Sequence, residues 1–328
     1  MDDVARAAGV SRALVSLVMR ESPQVSPHRR GRVLAAASEL GYRPNAMARG
    51  LASRRTNTIG VLLNDLHNPF FAEIAAGIEQ VASSADYRVI LSTGGRRPAR
   101  ERAMVSALLE HRPDGLILVS PRMASGEIQA VAAETPLVLV GRHVRGGALD
   151  VVMNDELRGA RLVIEHLTGM GHRRIVHVDG GRGAGAAARK AAYGRAMREA
   201  GLREHMAVVP GDFTEEAGVR AAERMLGWSE LPTAVFAAND LAAAGLLDRL
   251  EVAGVRIPGD VSIIGYDNTF LAALHHMSLS TVNQPRPEIG RLALELLLER
   301  VDGRRDAHVR LIAPTLVKRS TCGPAPVP

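Results

Sequence analysis

Beyond residue 58, short apolar runs alternate with longer amphipathic stretches, and this alternation leaves the chain very few architectures to choose from. The runs are 59–63, 89–91, 116–119, 137–140, 175–178, 234–237 and 261–264. Helix-like segments interleave with them at 71–85, 100–110, 158–170, 190–200, 215–226, 241–253 and 287–300. Strands that are apolar throughout, interleaved with helices, predict parallel sheets covered on both faces. Two such sets, divided near Asn154, predict two doubly wound α/β lobes rather than one sheet. Ligands of such folds bind beyond the carboxyl ends of the strands. The polar residues there are Asn64, Asp65, Asp179, Asn239, Asp240 and Asp267.

The first 56 residues read differently. They hold ten Arg and four acidic residues, so the entire formal excess of +6 lies in this segment. A small basic module on a neutral body is the electrostatic footprint of a polyanion-binding protein. Three short helices are predicted within it. The first covers 2–8, with Asp2 and Asp3 in its first turn, where the helix dipole favours acids. Gly9-Val10 makes a turn, and Ser11 caps a second helix reaching residue 19. Ser26-Pro27 opens a third, which runs to residue 40 and stops at Gly41. Two short helices joined by a Gly turn form the helix-turn-helix pattern.

On the second helix, Val15 and Val18 turn inward with Val10, leaving Arg12, Ala13, Ser16, Leu17 and Arg20 on the opposite face. Arg12 lies at the end of the helix that reaches base edges in the major groove. It either forks onto a guanine or touches phosphate alone. Ala13 and Leu17 either meet thymine methyls or cover neighbouring side chains.

The string Asp3-Val4-Ala5-Arg6-Ala7-Ala8-Gly9-Val10-Ser11, with Val15-Ser16, Val25-Ser26-Pro27 and Leu40-Gly41-Tyr42-Arg43-Pro44-Asn45, resembles the lactose-repressor (LacI/GalR) family. The likeness continues through Asn68-Pro69-Phe70-Phe71, Gly171-His172-Arg173-Arg174-Ile175, Ala238-Asn239-Asp240 and Gly265-Tyr266-Asp267 to Leu316-Val317 and Arg319-Ser320. It implies an all-α helix-turn-helix head at 1–43, a hinge helix at 44–56 and a periplasmic-binding-protein-like core at 57–321. One lobe of that core is expected at about 57–153 and 286–312, the other at about 154–283 and 313–321, with a disordered tail at 322–328. The implied DNA contacts add Ser11, Asn45, Ala48, Arg49 and Leu51 to the helix face above, Leu51 as a minor-groove wedge. By matching position, effector contacts fall on Phe70, Phe71, Asn154, Arg189, Phe213, Asn239 and Asp267. Leu17 and Arg20 stand where the family usually has Arg and Asn, so an operator different from its commonest palindrome is expected.

The hinge segment is short and contains Gly50, and isolated helices under about 12 residues are marginal in water, so it is expected to be helical only when docked. The resemblance implies a sequence-specific transcriptional regulator, a repressor, governed by a sugar or related metabolite bound between the lobes. Its partners are double-stranded DNA with a near-palindromic operator, the effector and a second copy of the chain. A homodimer is implied by the resemblance, and a cytoplasmic location is expected, for no run of about 18 apolar residues occurs and Met1-Asp2-Asp3 does not open a secretion signal. No enzyme activity, cofactor or metal is expected. Gly183-Xaa-Gly185-Xaa-Xaa-Ala188 imitates a dinucleotide fingerprint, but its first Gly lies about five residues past the strand. His275-His276 are adjacent and share no helix face, and Cys322 is the only cysteine. A transport-type solute receptor would share the core but have no use for the basic head.

Overall fold

The computed structural model describes residues 1–19, 22–42 and 55–326. The chain divides into two compact units, 1–57 and 58–328.

The first unit holds α1 (Asp2–Ala8), α2 (Arg12–Met19) and α3 (Pro27–Glu39) around a small core of Val4, Val15, Val18, Val25 and Val33. Gly9 takes the left-handed conformation (φ 58°) that ends α1, and the Val10 amide closes the turn onto the Ala5 carbonyl at 2.9 Å. Arg32 of α3 donates to the last α1 carbonyl, on Ala8, at 2.6 Å, which ties the third helix to the first. The Ser11 hydroxyl accepts from the Leu14 amide at 3.2 Å, satisfying one orphan donor of α2. Ser26 precedes Pro27 in extended backbone but makes no side-chain capping bond, and only its carbonyl serves α3, accepting from Arg30 at 3.0 Å. Replacing Ser11 with Ala should therefore cost the head about 1 kcal/mol, whereas Ser26→Ala should cost much less. Thermal melts of the two variants, followed by head helicity, check this ordering.

The second unit begins with β1 (Thr58–Leu63), α4 (Pro69–Ser84), β2 (Arg88–Thr93), α5 (Pro98–Glu110), β3 (Gly115–Val119), α6 (Ser125–Glu134), β4 (Leu137–Val140) and β5 (Asp150–Asn154). It continues through α7 (Glu156–Gly169), β6 (Ile175–Val178), α8 (Ala186–Glu199), β7 (Ala207–Val209), α9 (Glu215–Leu226), β8 (Ala234–Ala237), α10 (Asp240–Val252), β9 (Ser262–Asp267) and β10 (Ser280–Asn283). Last come α11 (Arg286–Val301), β11 (Val309–Ile312) and β12 (Thr315–Val317). Two six-stranded sheets result, in the orders β11-β5-β4-β3-β1-β2 and β12-β10-β9-β8-β6-β7.

Alternation along each central strand explains the two-sided cover. Ile59, Val61 and Leu63 pack with Ile74 and Ile78 of α4 and with Ile289 and Leu297 of α11, while Leu62 meets Val105 and Leu108 of α5 and Ile128 of α6. In the other sheet, Val176 and Val235 face α9 and α10, and Ile175 and Phe236 face α7 and α8. Each such Ile or Leu, fully buried, contributes about 1.5–3 kcal/mol of transfer free energy. The helices that cover the sheets come very close where α4 crosses α11. A Cβ on Gly77 would fall 2.1 Å from the Pro287 carbonyl oxygen, and one on Gly290 would fall 2.1 Å from that of Ile74. Gly218 and Gly245 do the same for α9 and α10, each with a backbone oxygen 2.1 Å from an added Cβ.

Three expectations need correction. The second sheet is not wholly parallel, because β12 runs antiparallel to β10. The chain reaches that edge directly from β11 in the other lobe, without the crossover a parallel neighbour requires. Residues 322–326 are not a disordered tail. The Gly323 amide donates to Ser262 Oγ at 3.1 Å, the Gly323 carbonyl meets His172 Nε2 at 2.9 Å, and Ala325 donates to the Met170 carbonyl at 2.9 Å. Finally, β5, β7, β10, β11 and α6 occur where no element was predicted. β10 is Ser-Thr-Val-Asn and β11 is a half-exposed edge, so neither carries the apolar run that marks a central strand.

Candidate effector cavity and DNA-facing helix

The carboxyl ends of the two sheets face one another across a cavity of about 430 Å³. One lobe supplies the loop after β1, the α4 N-terminus and the turns after β2, β3 and β4. Asn68 caps α4, accepting from Phe70 N at 2.9 Å, and so presents Phe70 and Phe71 edge to face with centroids 5.3 Å apart. The other lobe supplies the 180–185 turn, Arg189 of α8, Phe213, Asn239 and Asp267.

Arg189 organises the floor. Its Nε and Nη2 each donate to Glu156 at 2.8 Å, Nη1 donates to the Ala238 carbonyl at 2.5 Å, and the guanidinium stacks 3.5 Å above the Tyr266 ring. Arg189 is 5% exposed, and burial alone would disfavour its charge, but Glu156 overrides this and holds it firmly protonated. Asn154 donates through Nδ2 to the Tyr266 hydroxyl at 2.5 Å, which links the lobes beneath the cavity. The Asn154 Oδ1 and Asn64 Oδ1 are buried and have no hydrogen-bond partner among the described residues. Two unsatisfied acceptors on the wall of one cavity mark a place for donors.

Asp267 ends β9 with φ 116°, a conformation that L side chains rarely adopt. It is held there because Arg286 donates to its carbonyl and Gln284 donates to its Oδ1 at 2.6 Å. Burial pushes its carboxyl well above the usual range, the neighbouring Asp240 carboxylate adds to this, and Arg189 opposes it. A protonated carboxyl can both donate to and accept from a ligand hydroxyl.

All seven effector-contact positions named from the sequence line this cavity: Phe70, Phe71, Asn154, Arg189, Phe213, Asn239 and Asp267. Asn239 has another duty, since its Oδ1 accepts from Ala242 N at 2.9 Å and caps α10. Two of the strand-end acids are absent from the lining. Asp179 Oδ1 accepts from the Gly181 and Gly211 amides at 3.0 Å, and Asp240 accepts from Thr281 Oγ1 at 2.6 Å. In the fingerprint-like string Gly183 serves packing, for a Cβ there would lie 2.4 Å from the Phe213 ring, and Gly185 supplies the left-handed residue (φ 79°) that opens α8. Arg96, Ser120, Arg122, Glu156 and Gln284 also line the cavity and were not named from sequence. Arg96 and Arg122 each stand three residues past a strand, so the strand-end rule applied to basic residues would have found them. No group of three or more His, Cys, Asp or Glu among the described residues is placed to hold a metal.

In the head, Ser11, Arg12 and Ala13 are exposed at the start of α2, and Ser16 and Leu17 are half-buried. Leu17 packs against the head core, which favours the covering role over a free methyl contact. Arg12 Nε lies 3.7 Å from Asp2 Oδ1 with both side chains exposed, a pairing weak enough for DNA to displace. Arg20, Asn45, Ala48, Arg49 and Leu51 lie outside the described residues.

Comparison with known proteins places these features together. Residues 1–45 match the family model described as bacterial regulatory proteins, lacI family, and residues 164–322 match the periplasmic binding protein-like domain. The chain is 36% identical over 299 residues to catabolite control protein A of Priestia megaterium, covering 90% of each. The structure of the lac repressor dimer bound to operator and the anti-inducer ONPF superposes with a TM-score of 0.87, at 29% identity and 97% coverage of both chains. The complex of the transcriptional regulator CelR with cellobiose gives 0.73 at 30% identity, covering 98% of both.

Proposed function

Because the chain belongs to the lacI family of bacterial regulatory proteins, we propose that it is a repressor whose grip on a near-palindromic operator is set by a polyhydroxylated effector, a sugar or related metabolite, in the cavity between its lobes. It is a DNA-binding transcriptional regulator with a ligand-binding core. Two copies would present two heads to neighbouring half-sites, with Arg12 and Ala13 toward base edges and the paired Leu51 side chains wedged into the minor groove. A ligand that fits one relative angle of the lobes better than another shifts their balance, and coupling of this kind is typically about 1–3 kcal/mol.

The observation that carries the effector half is the pair of unpartnered acceptors, Asn64 Oδ1 and Asn154 Oδ1, on a wall that also holds Asp267 and two aromatic rings. Hydroxyl groups would satisfy the amide oxygens while the rings cover the apolar side of the ligand. A regulator titrated by a metabolite and bound to the genome belongs in the cytoplasm, and no described helix is long and apolar enough to cross a membrane. A binding role rather than catalysis follows from the same premise, since the relatives are regulators by name.

Selection of duplexes by the full chain from a random pool, followed by release assays with sugars and nucleosides, tests both halves. Recovery of a two-fold operator released by a ligand is expected, and failure to enrich any duplex at low salt rejects the reading. On the selected operator, Arg12→Ala should lose about 1–3 kcal/mol of discrimination at one base position. Equal weakening on every sequence would reassign Arg12 to phosphate.

A further inference from the structure

The mouth of the cavity carries more positive charge than the lobes need to hold each other. Arg96 follows β2 and Arg122 follows β3, both in the first lobe, and both line the cavity. They converge on one acid of the other lobe. Arg96 pairs with Asp212 Oδ2, and Arg122 Nη2 lies 3.1 Å from Asp212 Oδ1. Two guanidinium groups thus share a single carboxylate, and Arg122 Nε is buried with no hydrogen-bond partner among the described residues. A third cation, Arg142, also lines the cavity and among the described residues donates only to neutral groups, the Pro121 and Met123 carbonyls and Ser125 Oγ, at 3.0–3.2 Å.

Further acids nearby are Glu216, which Arg220 and Arg96 attract, and Glu101, fully buried beneath the loop after β3. Its Oε2 accepts from the Arg122 and Met123 amides at 2.7 and 2.8 Å, and burial raises its pKa toward the neutral form. Apart from the Arg189 and Glu156 pair, the cavity lining holds four guanidinium groups, Arg96, Arg122, Arg142 and Arg182, against the carboxyls of Asp65 and Asp267, so with Asp212 counted four cations face three acids. On the floor, by contrast, Arg189 is already matched by Glu156. Surplus cations with low-dielectric walls around them focus potential into a cleft. Planar guanidinium forks suit phosphate and carboxylate oxygens.

We propose that the effector carries an acidic oxyanion, a phosphate monoester or a carboxylate, on its polyhydroxylated body, and that this group seats against Arg96 and Arg122 with Arg142 beside them. The proposal rests on the effector reading above and adds the charge of the ligand. Asp212 then acts as an internal stand-in that holds the two Arg side chains while the cavity is empty, and the incoming oxyanion competes with it.

The test is calorimetric titration of the full chain, in phosphate-free buffer. The ligands are neutral sugars and nucleosides, each measured beside its phosphate monoester and, for the sugars, its uronic acid. At least one anionic member should bind ten-fold or more tightly than its neutral parent, and which acid wins separates phosphate from carboxylate. Arg122→Gln should weaken that ligand at least ten-fold more than it weakens the neutral parent. Asp212→Asn should tighten the anionic ligand by removing its competitor. Neutral parents that bind as well as their anionic counterparts overturn the proposal while leaving the effector reading intact. Equal losses on both ligands in Arg122→Gln also overturn it, since the three side chains would then only fasten the lobes. If no member of either kind binds, the effector reading fails and the proposal falls with it.

Discussion

Replacing Arg189 with Met should lower affinity for the effector at least 100-fold and destabilise the core by about 3–5 kcal/mol. Arg189 and Glu156 are both largely buried and joined by two 2.8 Å hydrogen bonds, so removing the cation strands a carboxylate at the cavity floor. It also takes the guanidinium from the Tyr266 ring and a donor from the Ala238 carbonyl. Urea unfolding gives the stability term, and titration of the ligand found by operator release gives the binding term. Arg189→Lys should recover part of the stability but little of the binding, because an ammonium cannot reproduce the fork. If Arg189→Met unfolds like the parent chain, the pair contributes less than its burial implies. If it binds like the parent chain, Arg189 is scaffold only.

The second large effect is expected far from the cavity. Asp150, at the start of β5, has no solvent exposure and is held by Arg304 Nη2 at 2.5 Å, Arg300 Nη1 at 3.3 Å and the His308 amide at 2.7 Å. One carboxylate thereby joins the end of α11 to the edge where β11 pairs with β5. Asp150→Ala leaves the buried Arg300 without its acid and Arg304 with Glu299 alone, at a cost of about 3–5 kcal/mol. For a unit of this size that is a fall in melting temperature of roughly 10 °C. Asp150→Asn keeps an acceptor and should lose less. A melting temperature within 2 °C or so of the parent's in Asp150→Ala would show that water or neighbouring groups replace the carboxylate.

The residues best predicted from sequence share one property, that short-range chemistry decides them. Ser11 caps α2 because a hydroxyl two or three residues before an amide reaches it whatever the rest of the chain does. Gly9 ends α1 because a left-handed residue is needed there and Gly adopts it without a steric penalty. The central strands were legible because burial on both faces leaves them apolar, and the Arg-rich head because charge is countable without coordinates. β11 was not legible because an exposed edge strand has no need of an apolar run, and β10 was not because its buried Ser280 and Thr281 are satisfied by the Arg319 carbonyl and Asp240, partners distant in sequence.

By itself, then, the order of residues determined that a basic three-helix module precedes two α/β lobes, and that the cavity lies at the carboxyl ends of their strands. Local hydrogen bonding and the periodicity of burial act over a few residues, so they are written along the chain. Tertiary structure alone decided that Arg96 and Arg122 would share Asp212, that Arg189 would be locked by Glu156, and that 322–326 would be tied down against β9 rather than free. Those pairings join residues far apart along the chain, and electrostatic matching at that range depends on distance in space, which no spacing along the sequence encodes.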